Sequence, residues 1–288
     1  MLRFRAALTP FHPRGRKWLR FLDSLDLDPD KLPRPIPSPG ARDFIICGAP
    51  RSGTTLLSAL LLQPPKIVTV VEPWSGMRLP PRELFLSLRQ EIARTRTLPS
   101  GKLDVEALRQ TRDVKRQQDG GSATEISLDA GYLMGIKWPE YWRYVGLLPD
   151  TKFLVCTRHP VEVIRSFKRN GGRLALGLGY DILFNRRLND KLLSATSNVA
   201  LRRILLYDTI NAHLIPHLES ENVLPVRYER WFEEPEAQMA DIGSFLGVEL
   251  GPKPARIRRS SSSQDLDDAE ARLVAEHCKT AGSLGYSF

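Results

Sequence analysis

The stretch from Phe44 to Leu62 limits what this chain can fold into more than any other. An apolar run, Phe44-Ile45-Ile46-Cys47, leads into Gly48-Ala49-Pro50-Arg51-Ser52-Gly53-Thr54-Thr55 and then into the helical run Leu56-Leu57-Ser58-Ala59-Leu60-Leu61-Leu62. Strand, glycine loop and helix in that order make an anion socket. Small residues let backbone N–H groups converge, and the positive end of the helix dipole favours negative charge there. The spacing of Gly48 and Gly53 is that of a P-loop, but Thr54 stands where an ATP-binding loop carries Lys. The loop's cation is Arg51, three positions earlier.

Further strand-like runs lie at Ile67–Val71, which ends at Glu72-Pro73-Trp74, and at Gly135–Lys137, Thr151–Thr157 and Val223–Tyr228. Helical patterns separate them. Residues 82–118 read as two surface helices, carrying Leu84, Leu88 and Ile92, then Val105 and Leu108, and broken around Pro99-Ser100-Gly101. Val161 to Arg169 is helical, with Pro160 suited to the first turn. Gly171, Gly172, Gly177 and Gly179 mark a flexible segment, and a long helix follows from Asn198 to His217. Pro235 to Leu246 is amphipathic, with Gly247 as its stop. This alternation predicts an α/β fold: a single domain over residues 41–288 with a central parallel β-sheet flanked by helices, a P-loop-like three-layer sandwich. Residues 1–40 read as a basic, Pro-rich N-terminal extension, stiffened by Pro33, Pro35, Pro37 and Pro39.

The 288 residues carry 42 Lys and Arg against 33 Asp and Glu, a formal charge of +9. A nucleic acid or a small polyanion in a basic cleft would explain that excess. The charge is spread along the chain without a helix-turn-helix, zinc or stacking motif, so a small anionic ligand is expected and no nucleic-acid partner. Three unpatterned cysteines, Cys47, Cys156 and Cys278, argue against a disulfide framework and against zinc. His213 and His217 sit four apart without a third ligand, and no metal is expected. The basic N-terminus has no continuous apolar stretch and no membrane span is evident, so a soluble, cytoplasmic protein is expected.

Two motifs resemble the sulfotransferase family, whose members move a sulfonyl group from 3′-phosphoadenosine 5′-phosphosulfate (PAPS) to an acceptor. Pro50-Arg51-Ser52-Gly53-Thr54-Thr55-Leu56 looks like the family's 5′-phosphosulfate loop, and Arg158 with Ser166 eight residues later looks like its 3′-phosphate site. Arg rather than Lys at position 51 is closest to the tyrosylprotein and bacterial branches. The resemblance covers residues 41–288 and is weakest over 75–130 and 171–200. It implies that PAPS is gripped at both ends. Arg51, Ser52, Gly53, Thr54 and Thr55 would take one end, and Arg158 and Ser166 the other. Tyr228 is either a nucleotide contact or a half-buried strand residue.

For catalysis the resemblance implies Glu72 as general base, Lys137 as the cation that neutralises the leaving phosphate, and Arg51 at the sulfonate. The alternative for Glu72 is a carboxylate that merely pairs with a nearby Arg, and for Lys137 a surface Lys. His159 is the rival base, because cytosolic members use a His, but it sits directly behind Arg158 at the distal phosphate rather than near the sulfonyl group. Arg256 to Ser263 resembles the loop that closes over the nucleotide, without its usual basic-glycine pattern. The expected acceptor is a small-molecule, carbohydrate or peptidyl hydroxyl. Two other readings stay open: a P-loop-type small-molecule kinase, and a non-catalytic nucleotide- or nucleic-acid-binding protein.

Overall fold

Six strands hydrogen-bond into one sheet in the order β3-β2-β4-β1-β5-β6. They are β1 (Asp43–Gly48), β2 (Ile67–Pro73), β3 (Gly101–Leu103), β4 (Leu133–Lys137), β5 (Lys152–Thr157) and β6 (Val223–Arg227). This computed structural model describes residues 38–73, 79–99, 101–103, 126–180, 185–251, 257 and 268–288. The helices are α1 (Thr54–Leu60), α2 (Pro81–Thr95), α3 (Pro160–Asn170), α4 (Gly172–Ala175), α5 (Arg186–Ala195), α6 (Val199–Leu214), α7 (Arg230–Glu233), α8 (Pro235–Leu246) and α9 (Asp268–His277).

Every residue of β1 and β2 is buried, which is why these strands read as unbroken apolar runs rather than alternating ones. The side-chain period of two sends neighbours to opposite faces. On one face Ile45, Cys47, Phe153 and Val155 pack with Leu84, Phe85 and Leu88 of α2, Val163 and Phe167 of α3, and Ile204 and Ile210 of α6. On the other Phe44, Ile46, Leu154 and Cys156 pack with Leu56, Leu57 and Leu60 of α1 and with Met239, Ile242 and Leu246 of α8. The three expected layers are therefore present, with helices on both faces of the sheet. Five strands, β2-β4-β1-β5-β6, run parallel. Their carboxyl ends share one edge, with Lys137 opposite both Ile46 and Val71 and Thr157 opposite Arg227.

Two expectations need correction, and two others fall outside the described residues. The break at Pro99-Ser100-Gly101 opens into β3, an antiparallel edge strand with Leu103 opposite Val71; a run of three residues is too short to carry a periodic signal. The second surface helix, with Val105 and Leu108, lies outside the described residues, as do residues 1–37 of the extension. The glycine segment is packed at Gly177 and Gly179, though a Cβ on Gly171 or Gly172 would meet nothing within 4 Å. It contains α4, and a Cβ on Gly177 would stand 2.7 Å from the backbone of Arg202, and one on Gly179 2.3 Å from Asn185. Here glycine serves close approach, a use that composition cannot distinguish from flexibility.

The long helix begins at an Asn198 cap, whose side chain accepts from the backbone of Ala200 and Leu201. Within it His213 meets Trp142 edge-on, 5.0 Å between ring centroids. Burial, helped by the neighbouring His217, holds the His213 pKa down to about 4. An unfolded chain titrates this imidazole near its ordinary 6.5, so the native state resists a proton that the unfolded state accepts. The associated stability is present above pH 6.5 and is lost as pH falls toward 4, about 3 kcal/mol in full. His213→Gln is expected to flatten the acid side of a denaturant-stability profile over that window. An unchanged slope would assign the acid sensitivity to other groups.

Candidate active site

The order of the strands decides what meets at the carboxyl edge. Because β1 lies between β4 and β5, the loop after β1 has Lys137 on one side and Arg158 on the other, two strand spacings or about 10 Å apart in the sheet. Open α/β sheets bind ligands at this edge.

The loop has the local geometry of an anion socket. Gly53 caps α1 in a left-handed conformation (φ 103°) and has no side chain to accept from the first-turn amides. A Cβ at Gly53 would lie 2.6 Å from Cδ2 of Tyr228, so only glycine lets this loop touch that ring. The Ser52 hydroxyl is buried without a hydrogen-bond partner. Thr54 is buried and Thr55 half-buried at the helix start. An orphaned hydroxyl, uncapped amides and two arginines form a donor set that fits a phosphate.

Arg51 adopts a left-handed backbone (φ 71°), uncommon for a residue with a side chain, and of the kind that costs about 1–3 kcal/mol and clusters at functional sites. Its Nε donates to Ser166 Oγ on α3 at 3.0 Å. Arg158, just past β5, donates from Nη1 to the Arg51 carbonyl at 3.3 Å and lies 4.0 Å from the centroid of the Tyr228 ring. Tyr228 itself leaves β6 by donating its backbone N–H to the Thr157 carbonyl. The two motifs, 107 residues apart between Arg51 and Arg158, therefore form one cluster. They share a bond, Arg51 to Ser166, rather than standing as separate sockets.

On the far side of the loop Glu72 is the penultimate residue of β2, again left-handed (φ 46°), and β4 ends in Lys137. Lys137 Nζ donates to Glu72 Oε1 at 2.6 Å, with both side chains at most 10% exposed. Burying two charges is costly, and pairing with a direct hydrogen bond is what makes it tolerable. Glu72 thus pairs with Lys137, where the alternative reading of the sequence had an Arg, and Lys137 is not a surface residue.

The other sequence candidates fall into place around this edge. His159 donates its backbone N–H to Glu229 Oε1, and its ring faces Tyr286 and Phe288, away from the Glu72–Lys137 pair. Trp138 and Trp142 are core residues. Cys47 and Cys156 are buried, and burial pushes both thiols up. Trp74 and all of Arg256–Ser263 except Ile257 lie outside the described residues. Among the described residues no group of three or more His, Cys, Asp and Glu could hold a metal ion, and no helix is long and apolar enough to cross a membrane.

Several supporting residues were not singled out from the sequence. Tyr207 of α6 donates its hydroxyl to the Arg158 carbonyl at 3.0 Å. Glu162 pairs with both Arg158 and Arg165; the four- and three-residue spacings were a usable signal. Behind Lys137, buried Arg143 donates to Glu140 and Asn185, and Asn185 donates back to Glu140. No local spacing foretells that closed triad, because Asn185 arrives from 42 residues away.

Fold and edge together define a P-loop-like α/β protein with a donor-rich loop between two charged clusters. Residues 43–252 match the profile of the sulfotransferase family, and the chain belongs to that family and is a sulfotransferase enzyme. No curated protein sequence matches significantly. Among solved structures, the sulfotransferase from Alicyclobacillus acidocaldarius is 17% identical, with 88% of this chain and 98% of that one covered and a TM-score of 0.46. The sulfotransferase domain from the curacin biosynthetic pathway is 18% identical, with 88% and 99% covered and a TM-score of 0.49. Mouse sulfotransferase SULT7A1, solved with PAP, is 13% identical, with 93% and 71% covered and a TM-score of 0.36.

Proposed function

We propose that this sulfotransferase uses PAPS as donor and an acceptor hydroxyl as nucleophile, with in-line transfer and Glu72 as general base. The observation that carries the proposal is the arrangement along the carboxyl edge: a buried carboxylate–ammonium pair on one side of the β1–α1 loop and a guanidinium–hydroxyl cluster on the other. A nucleotide bearing phosphate on both sides of its ribose is the ligand such an arrangement suits. When bound, it supplies a sulfonyl group activated by its 5′-phosphate.

Arg51, Ser52 and the amides of Gly53, Thr54 and Thr55 would hold the 5′ end, while Arg158 and Ser166 hold the 3′-phosphate and Tyr228 the nucleoside. Glu72 accepts the proton of the attacking hydroxyl as its oxygen gains the sulfonyl group. Once that carboxylate is neutral, the ammonium of Lys137 is released from its partner and its charge serves the departing phosphate oxygen. One geometry thus couples proton uptake to leaving-group stabilisation. The site residues supply these roles without calling on a metal.

A thermal-shift series tests the proposal. Adenosine 3′,5′-bisphosphate is expected to raise the melting temperature more than ATP with Mg²⁺ or an oligonucleotide. Preference for ATP–Mg²⁺ would favour the kinase reading, and preference for the oligonucleotide a binding protein. Transfer of labelled sulfonyl from PAPS to a panel of phenolic, sugar and tyrosyl-peptide acceptors then reads the chemistry.

A further inference from the structure

The distal half of the site contains more charge than Arg158 and Ser166 account for. Arg158 Nη2 lies 3.3 Å from Glu162 Oε2, and Arg165 Nη1 lies 2.7 Å from Glu162 Oε1. One carboxylate is therefore bracketed by two guanidinium groups, each bonded to a different oxygen. All three side chains are largely withdrawn from water, 8% exposed for Arg158, 26% for Glu162 and 16% for Arg165. The group sits at the start of α3, where Glu162 falls in the first turn and Arg165 and Ser166 one turn further on. Two guanidinium groups thus share the Glu162 carboxylate, and a third, that of Arg51, reaches the group through Ser166.

We propose that Glu162 is a built-in counter-anion of the distal phosphate site and that Arg165 is a further phosphate-binding residue. The inference rests on the bisphosphate reading above and specifies how that site selects its ligand. Like charges so close would repel and splay, and the Glu162 carboxylate keeps Arg158 and Arg165 converging on one point. A phosphate monoester brings more charge and more acceptor oxygens to that point than a carboxylate, and takes its place between the two forks. Glu162 is the most exposed of the three, so its carboxylate has water to turn into. An adenylate without the second phosphate has nothing with which to displace it. Glu162 thus raises the threshold for binding, and the threshold is crossed only by the doubly phosphorylated nucleotide.

Calorimetric titration of the full chain with adenosine 3′,5′-bisphosphate and with adenosine 5′-monophosphate tests this, with thermal unfolding as the folding control. Glu162→Gln keeps shape and removes charge, and is expected to tighten bisphosphate binding about 5–10-fold while moving 5′-monophosphate binding less than about twofold. Arg165→Gln is expected to weaken bisphosphate binding about 10–30-fold with the same indifference to 5′-monophosphate, and Arg165→Lys to recover part of the loss. Weaker or unchanged bisphosphate binding in Glu162→Gln would overturn the counter-anion role. Parallel losses for both ligands in Arg165→Gln would reduce that residue to a structural one. A wild-type protein that does not prefer the bisphosphate would defeat the nucleotide reading itself, and this inference with it.

Discussion

Glu72→Gln is expected to lower turnover by about 10²–10⁴ while leaving affinity for adenosine 3′,5′-bisphosphate within a few-fold. In activation terms that is about 3–5 kcal/mol at the reacting oxygen and almost none at the nucleotide. The separation follows from the sheet: Glu72 lies at the carboxyl end of β2, two strands away from β1 and on the opposite side from Arg158 and Tyr228. Gln keeps an oxygen for Lys137 Nζ, so the 2.6 Å hydrogen bond has a substitute acceptor. It does not keep the charge, and removing one member of a buried pair costs about 3–5 kcal/mol of stability. Thermal unfolding must therefore accompany the kinetics, and Glu72→Gln with Lys137→Met gives a folded comparison in which no buried ammonium lacks its counter-charge. The double variant is expected to recover stability but no turnover. Near-normal turnover by folded Glu72→Gln with a genuine acceptor would move the general base elsewhere.

The left-handed backbone at Glu72 and Arg51 shows where the sequence stopped being informative. The five parallel strands were legible because β1, β2 and β5 are largely buried apolar runs and all five alternate with helical segments, but their order in the sheet was not. Which side chains share the edge was legible too, since Glu72, Lys137, Arg158 and Tyr228 each lie at or just beyond a strand's carboxyl end. Their partners were not. That Glu72 meets Lys137 depends on β4 inserting between β2 and β1, a pairing that no local spacing encodes. The bond from Arg51 to Ser166 depends on a strained turn at a residue whose type does not demand it. β3 escaped notice because three residues have no period, and Gly177 and Gly179 misled because tight packing and free rotation both select glycine. The buried Arg143 triad was invisible for another reason: one long charged residue among aromatics looks like surface until its remote partner is known.

Arg158→Ala is expected to weaken adenosine 3′,5′-bisphosphate binding about 100-fold, measured by calorimetry at fixed salt. A charge-assisted contact to phosphate is worth about 1.5–3 kcal/mol, and this side chain also does two structural jobs. Its Nη1 bonds the Arg51 carbonyl, bracing the left-handed turn of the loop, and its guanidinium covers the Tyr228 ring at 4.0 Å. Truncation should therefore reach both ends of the nucleotide site, and adenosine 5′-monophosphate binding is expected to fall as well, by about threefold to tenfold. Arg158→Lys separates the contributions. It restores a cation but not the planar fork that meets phosphate, carbonyl and ring together, so bisphosphate affinity should recover only in part. Full recovery with Lys would mean that charge alone matters and that the bracing of Arg51 is incidental. No loss in folded Arg158→Ala would remove the residue from the site. Because Arg158 links the loop, the ring and α3 in one side chain, that result would separate the two motifs on which the nucleotide reading stands.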